Sequence, residues 1–254
     1  MAQRFMMFVD GSHLFGTFRH LGIKIEDYDK LYQYVFGQAV HQWSRMFVGG
    51  QVPAQLVRVY WYVVGAIDQW KLDDPKAQKH LMERFERDQD VRPLWISAVA
   101  RAMAEAGKAI EPKHLGSDAW IACFNDFKAW YEKKQRNLES MNRFFYAVES
   151  NTDFVEVCRV GRWKVDFLHK SVEEKGVDTS LAVDMVALAD HYDVALLITG
   201  DADGLPSLAH VKRMGKQVVT IDFTKGARPE GRVRTTSTQL KLASDCVTAI
   251  YEAE

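Results

Sequence analysis

The sequence predicts an α/β fold: a mostly parallel central sheet covered on both faces by helices. Two observations carry this. Residues 5–9 and 194–198 are short, continuous apolar runs, as expected of strands buried on both sides. Stretches of helical period alternate with these and other strand-like runs, and such alternation builds parallel sheets. A third observation bears on function. Asp10 and Asp201 closely follow the two apolar runs, and in open α/β sheets chemistry gathers beyond the carboxyl ends of the strands.

The elements follow in order. Residues 5–9 form the first strand, and after Gly11-Ser12 a helix is expected from His13 to about Leu21. Residues 29–43 place Leu31, Tyr34, Val35 and Ala39 near helical spacing. Residues 55–64 (QLVRVYWYVV) are rich in β-branched and aromatic side chains and read as a strand. The pattern loosens over 66–125. There a helix is expected over 73–86, opened by Asp74 as N-cap and Pro75 at the first helical position, and an alanine-rich helix over 95–106. A connection this long exceeds what one crossover helix needs, so 66–125 is expected to be a helical insertion in a single domain spanning 1–254.

A long helix follows over 127–149, bearing Trp130, Leu138, Met141 and Phe145. Residues 153–160 (DFVEVCRV) alternate as a strand does. Leu181, Met185 and Leu188 then mark an apolar helical face, with Asp178, Thr179 or Ser180 as its cap. Strand 194–199, helix 206–214 closed by Gly215, strand 217–221 and a final helix over 240–251 complete the chain.

Composition excludes several classes. The 254 residues carry 33 basic and 34 acidic side chains, a balance that neither marks nor forbids a nucleic-acid binder. Cys123, Cys158 and Cys246 form no CxxC pair and suggest a reducing compartment, with small buried thiols as their plainest role. No run approaches the ~20 apolar residues of a membrane span. The first apolar run is too short for a signal peptide, so a cytoplasmic protein is expected. No P-loop or GxGxxG follows a strand, and the eight histidines show no metal-ligand spacing.

Five aspartates stand out: Asp10, Asp178, Asp184, Asp201 and Asp203. Each has a plainer reading alone. Asp10 before Gly11 is a turn residue, Asp178 a helix cap, and Asp201 and Asp203 flank Ala202 in an ordinary turn. Asp184 lies about 120° around a helix from Asp178 and beside apolar neighbours. Asp190 and Asp193 read as solvated loop residues. Together, acids after two strands and at one helix start suit Mg²⁺ or Mn²⁺, because several close carboxylates need a cation to remain ionised. Such ions can activate water and stabilise the leaving oxygen of a phosphodiester.

At these residues the chain resembles the NYN family of PIN-like metal-dependent ribonucleases, in particular its bacterial branch. The matching segments are Phe8-Val-Asp-Gly-Ser-His13, the strand Arg58-Val-Tyr-Trp-Tyr62 and the long block 176–219, with a weaker match over 239–250. The resemblance implies a three-layer α/β/α sandwich and metal-dependent RNA hydrolysis. It implies Asp10, Asp178, Asp201 and Asp203 as catalytic, metal-binding acids, with Asp184 as a further metal ligand. Two positions depart from the family pattern: His13 stands where Asn is usual, and Gly204 where an aromatic residue follows the second acid of the GDxD element.

RNA would need cations and a stacking surface. Arg162, Trp163 and Lys164 are expected in a loop on the acids' side of the sheet, and Arg228 in the loop after the last strand; Ser12 and His13 would orient phosphate or water. Lys128, Lys133, Lys134 and Arg136 read as the exposed face of the long helix. The alternative is a catalytically impaired module of the same fold that binds RNA or, through 66–125, a protein partner. A phosphatase or nucleotide hydrolase would use the same metal logic. The oligomeric state is not legible.

Overall fold

The computed structural model describes residues 2–109, 111–227 and 236–253. They form, in chain order, β1 (Gln3–Asp10), α1 (Gly11–Leu21), α2 (Tyr28–Phe47), β2 (Ala54–Ile67), α3 (Pro75–Arg87), α4 (Val91–Glu105), α5 (Pro112–Ser150), β3 (Val155–Asp166) and β4 (Ser171–Lys175). Then come α6 (Val177–Ala187), β5 (Val194–Ile198), α7 (Leu205–Arg213), β6 (Gln217–Thr224), α8 (Thr238–Ala243) and β7 (Cys246–Tyr251). The strand order is β4-β3-β2-β1-β5-β6-β7.

The sheet is mostly parallel. β1 pairs in parallel with β2 and β5, β5 with β6, and β6 with β7. The amide of Val59 bonds Phe154 O and that of Asp68 bonds Trp163 O, a constant offset that makes β2 and β3 parallel too. β4 follows β3 after a turn over residues 167–170, too short for a crossover, so it runs back along its neighbour.

The chain divides into two compact units: Met1–Gly65, Arg143–Gly161 and Lys175–Glu254 form the first, Ala66–Asn142 and Arg162–Glu174 the second. In the first, Phe5 to Val9 are at most 2% exposed. Each such side chain contributes about 1.5–3 kcal/mol relative to exposure. Successive side chains point to opposite faces. Phe5 meets the rings of Phe36 and Trp43 on α2, whereas Phe8 meets Tyr192 beyond α6. Trp61 on β2 likewise packs among Phe15, Tyr28 and Phe145, while Tyr62 reaches Asp184 on α6. Thus α1, α2 and the end of α5 cover one face and α6 the other, a three-layer arrangement.

The second unit contains α3, α4 and most of α5, and so the whole of 66–125. Its core is aromatic: the Phe127 and Phe167 rings meet edge to face at 4.3 Å, and Trp120 touches Phe85, Phe124 and Phe167. Asp74 caps α3 as expected, accepting the Lys76 amide at 2.9 Å. The long helix starts at Pro112, well before 127.

Three expectations fail. The cap of α6 is Gly176, and Asp178, Thr179 and Ser180 lie inside the helix. Residues 240–251 are not one helix: α8 ends at Ala243, and β7 pairs in parallel with Val219–Thr224, with Cys246, Thr248 and Ile250 buried on one face. Arg162, Trp163 and Lys164 are not a loop either. β3 continues through them to Asp166, and its Gly161 lies where a Cβ would stand 2.4 Å from Val177 Cγ2.

Gly11, at the β1–α1 junction, has a similar reason. A Cβ there would lie 2.6 Å from Val63 Cγ1 and 2.9 Å from Tyr62 O. Gly16, inside α1, has nothing within 4 Å. Gly11→Ala is therefore expected to destabilise by about 1–3 kcal/mol through overpacking, and Gly16→Ala to stabilise by about 0.5–1 kcal/mol through helix propensity. Thermal melts of the two variants should shift in opposite directions.

Candidate active site

Asp10 ends β1 and caps α1. Its Oδ1 accepts the His13 amide at 3.0 Å, and the Ser12 amide donates to the same carboxylate. Thr199, immediately after β5, donates from Oγ1 to Asp10 Oδ2 at 3.4 Å and accepts the Asp201 amide at 3.3 Å. Asp201 Oδ1 in turn accepts the Asp203 amide at 3.2 Å. One hydrogen-bonded chain therefore joins the ends of β1 and β5.

Asp178 is the second residue of α6. By surface area it is exposed, yet protein atoms crowd its carboxylate. That desolvation raises its pKa, and the charges of Asp10, Asp201 and Asp203 raise it further. Burial likewise pushes Asp10 upward, opposed by the His13 and Ser12 amides and the Thr199 hydroxyl, with Asp201 adding to the rise. The four acids thus share one electrostatic field.

Asp184 is engaged elsewhere. Tyr62 donates to its Oδ2 at 3.0 Å, and burial first, then Asp184, pushes the phenol's pKa upward. Asp178 and Asp184 both lie within α6, so the 120° between them turns Asp184 to Tyr62.

His13 Nε2 is buried without a hydrogen-bond partner among the described residues. Burial lowers the imidazole pKa, and Asp222 works against that. Asp222 itself, near the end of β6, was not anticipated. It is 5% exposed, forms an ion pair with Lys241 of α8 and accepts the Thr236 amide. An acid inside the apolar run VVTIDFT is the signal that marks it. Thr199 could have been found as the first polar residue after an apolar strand.

The expected RNA contacts separate. Arg162 and Lys164 project from one face of β3 and Trp163 from the other, as strand alternation requires. Arg162 lies 3.9 Å from Asp68 within the second unit. Arg228 lies outside the described residues.

An all-carboxylate donor set suits a hard cation such as Mg²⁺ or Mn²⁺, and such an ion would neutralise the charges of Asp10, Asp201 and Asp203 that, after burial, raise the Asp178 pKa. Among the described residues, no three His, Cys, Asp or Glu side chains form a group that could hold an ion by themselves. Water and substrate phosphate would have to complete the shell, as is common for Mg²⁺. Among the described residues, no helix is long and apolar enough to cross a membrane.

The mostly parallel α/β sheet, layered between helices, is consistent with the PIN-like fold class. The family model of the NYN domain matches residues 118–251, just over half of the chain, and the chain belongs to that family. The match includes Asp178, Asp184, Asp201 and Asp203, and begins after Asp10. No curated protein matches significantly. Among solved structures, a protein of unknown function from Vibrio parahaemolyticus is 14% identical with a TM-score of 0.38, over 99% of this chain and 94% of that one.

The raised Asp10 pKa has a consequence for stability. A carboxyl whose folded pKa exceeds its unfolded value costs stability when ionised; the cost is full above the folded pKa and vanishes below the unfolded one. Asp10→Asn, which keeps a capping oxygen, should therefore raise the melting temperature of the metal-free protein at pH 7. The gain should shrink as pH falls to about 4 and below. Melting curves of both proteins across that range in chelator measure it.

Proposed function

We propose that the chain is a metal-dependent endoribonuclease that hydrolyses RNA phosphodiester bonds. The observation that carries this is the common field of Asp10, Asp178, Asp201 and Asp203, supplied by the end of β1, the start of α6 and the loop after β5. In this reading those four acids hold Mg²⁺ or Mn²⁺. The ion, when bound, supplies a Lewis acid that polarises the phosphoryl group and makes water more acidic.

The protein's own groups do the positioning. The Ser12 and His13 amides and the Thr199 hydroxyl fix the Asp10 carboxylate. The Ser12 hydroxyl and the His13 imidazole orient phosphate or water. Asp184, with one oxygen taken by Tyr62, enters only as an outer carboxylate. Arg162, Lys164 and Arg228 are offered to phosphates, and Trp163, on the other face of β3 from Arg162 and Lys164, to a base.

One observation favours a second reading. Because no three of the described acids could hold an ion unaided, the domain would then be a catalytically impaired module that binds RNA, or a protein through residues 66–125.

Labelled RNA incubated with the protein in Mg²⁺, Mn²⁺ or chelator separates the two. Metal-dependent cutting is expected, reduced about a hundredfold or more in Asp10→Asn and Asp201→Asn. RNA left intact by folded protein under both metals would overturn the nuclease and favour the module.

A further inference from the structure

We propose that the second unit carries its own contact surface for single-stranded nucleic acid, built from Trp130 and Lys134 on α5 and Trp163 on β3. The proposal goes beyond the acidic site and takes from the nuclease reading only the class of ligand.

Trp130 and Lys134 are one helical turn apart, so their side chains share a face of α5. Trp163 reaches the same place from β3. The Lys134 ammonium lies 5.7 Å from the centre of the Trp130 ring and 5.8 Å from that of Trp163, within the range of cation–π attraction. All three side chains are partly exposed. On the same helix Lys128 is paired with Asp73 and Arg136 with Glu132, whereas Lys133 and Lys134 have no carboxylate partner among the described residues. Two indoles from separate elements, with the Lys134 ammonium over both, form a surface whose charge and π faces complement a single strand.

The chemistry of exchange is simple. A base can take the ammonium's place over one indole while the flexible lysine stem carries its charge to the adjoining phosphate. Base–indole stacking is stronger than an exposed ammonium–indole contact, and the phosphate gains a cation. Every base has a π face, so the surface should tolerate sequence. Arg162 and Lys164 point from the opposite face of β3 and are not part of it.

The test measures binding of a fluorescent oligouridylate to the full chain in chelator, by anisotropy at several salt concentrations. Trp163→Leu should weaken binding about tenfold or more. Lys134→Ala should weaken it and lower the salt slope by about 0.7. Single-stranded DNA of equal length should bind comparably. Melting curves accompany each variant; if Trp163→Leu fails to fold, Lys134→Ala and Lys134→Glu decide alone. Unchanged affinity and slope in folded variants would overturn the proposal, as would binding of polyglutamate in place of RNA. Binding in chelator by a protein that never cuts RNA would sink the nuclease reading and leave this surface standing. Metal-dependent cutting with binding indifferent to these substitutions would do the reverse.

Discussion

The arrangement rests on the burial of β1. Phe5 to Val9 are shut off from water on both faces, and both edges of the strand are taken, by β2 and by β5. A strand with no free edge and no wet face meets solvent only at its ends. Asp10 stands at the end where the chain leaves the sheet, and Gly11 admits the immediate start of α1 because no larger residue fits against β2. Register then does the rest. Val9 lies opposite Ile198, so Thr199 and Asp201 emerge beside Asp10 rather than elsewhere along the sheet edge.

Concentrating acids in this way is unfavourable, and the fold offsets it only in part. Asp10 caps α1, Asp178 lies in the first turn of α6, and Asp203 precedes α7 by two residues. The positive end of a helix favours a nearby carboxylate, and amides from Ser12 and His13 bond Asp10 directly. Even so, desolvation and mutual repulsion prevail at Asp10 and Asp178, whose pKa values stay raised. Asp193 shows the opposite balance. The Arg4 guanidinium and the Arg4 amide both bond it, and its pKa falls. A structural acid has its cation built in; among the described residues, Asp10 and Asp178 have none.

The alternation of strand and helix and the buried runs of β1 and β5 were legible because each rests on local pattern, as was the placement of Asp10 and Asp201 just beyond strand ends. What the pattern left ambiguous was misread. Leu240, Ala243, Val247 and Ile250 recur at helical spacing, while Cys246, Thr248 and Ile250 alternate as a strand, and a segment this short satisfies both periods. Pairing with β6, which no local signal announces, decides for the strand. Arg162 to Lys164 read as a loop because the reason for the preceding Gly161, the close approach of Val177, lies in tertiary packing. Asp193 read as solvated because its partner Arg4 is 189 residues away. The Lys134–Trp163 contact joins a helix to a distant strand and was invisible for the same reason.

The two departures from the family pattern fall where the carboxylate frame does not depend on them. What position 13 gives Asp10 is a backbone N–H, which any residue but proline supplies. The imidazole's own contribution is different: a buried Nε2 with no partner among the described residues, in the field of Asp222, which is itself neutralised by Lys241. Gly204 caps α7 without a side-chain bond, and a Cβ there would meet nothing within 4 Å. Leu208 and Val211 anchor α7 in the core without a side chain at Gly204. The substitutions therefore change what lies around the acids, and leave untouched the strand ends and helix starts that bring the acids together.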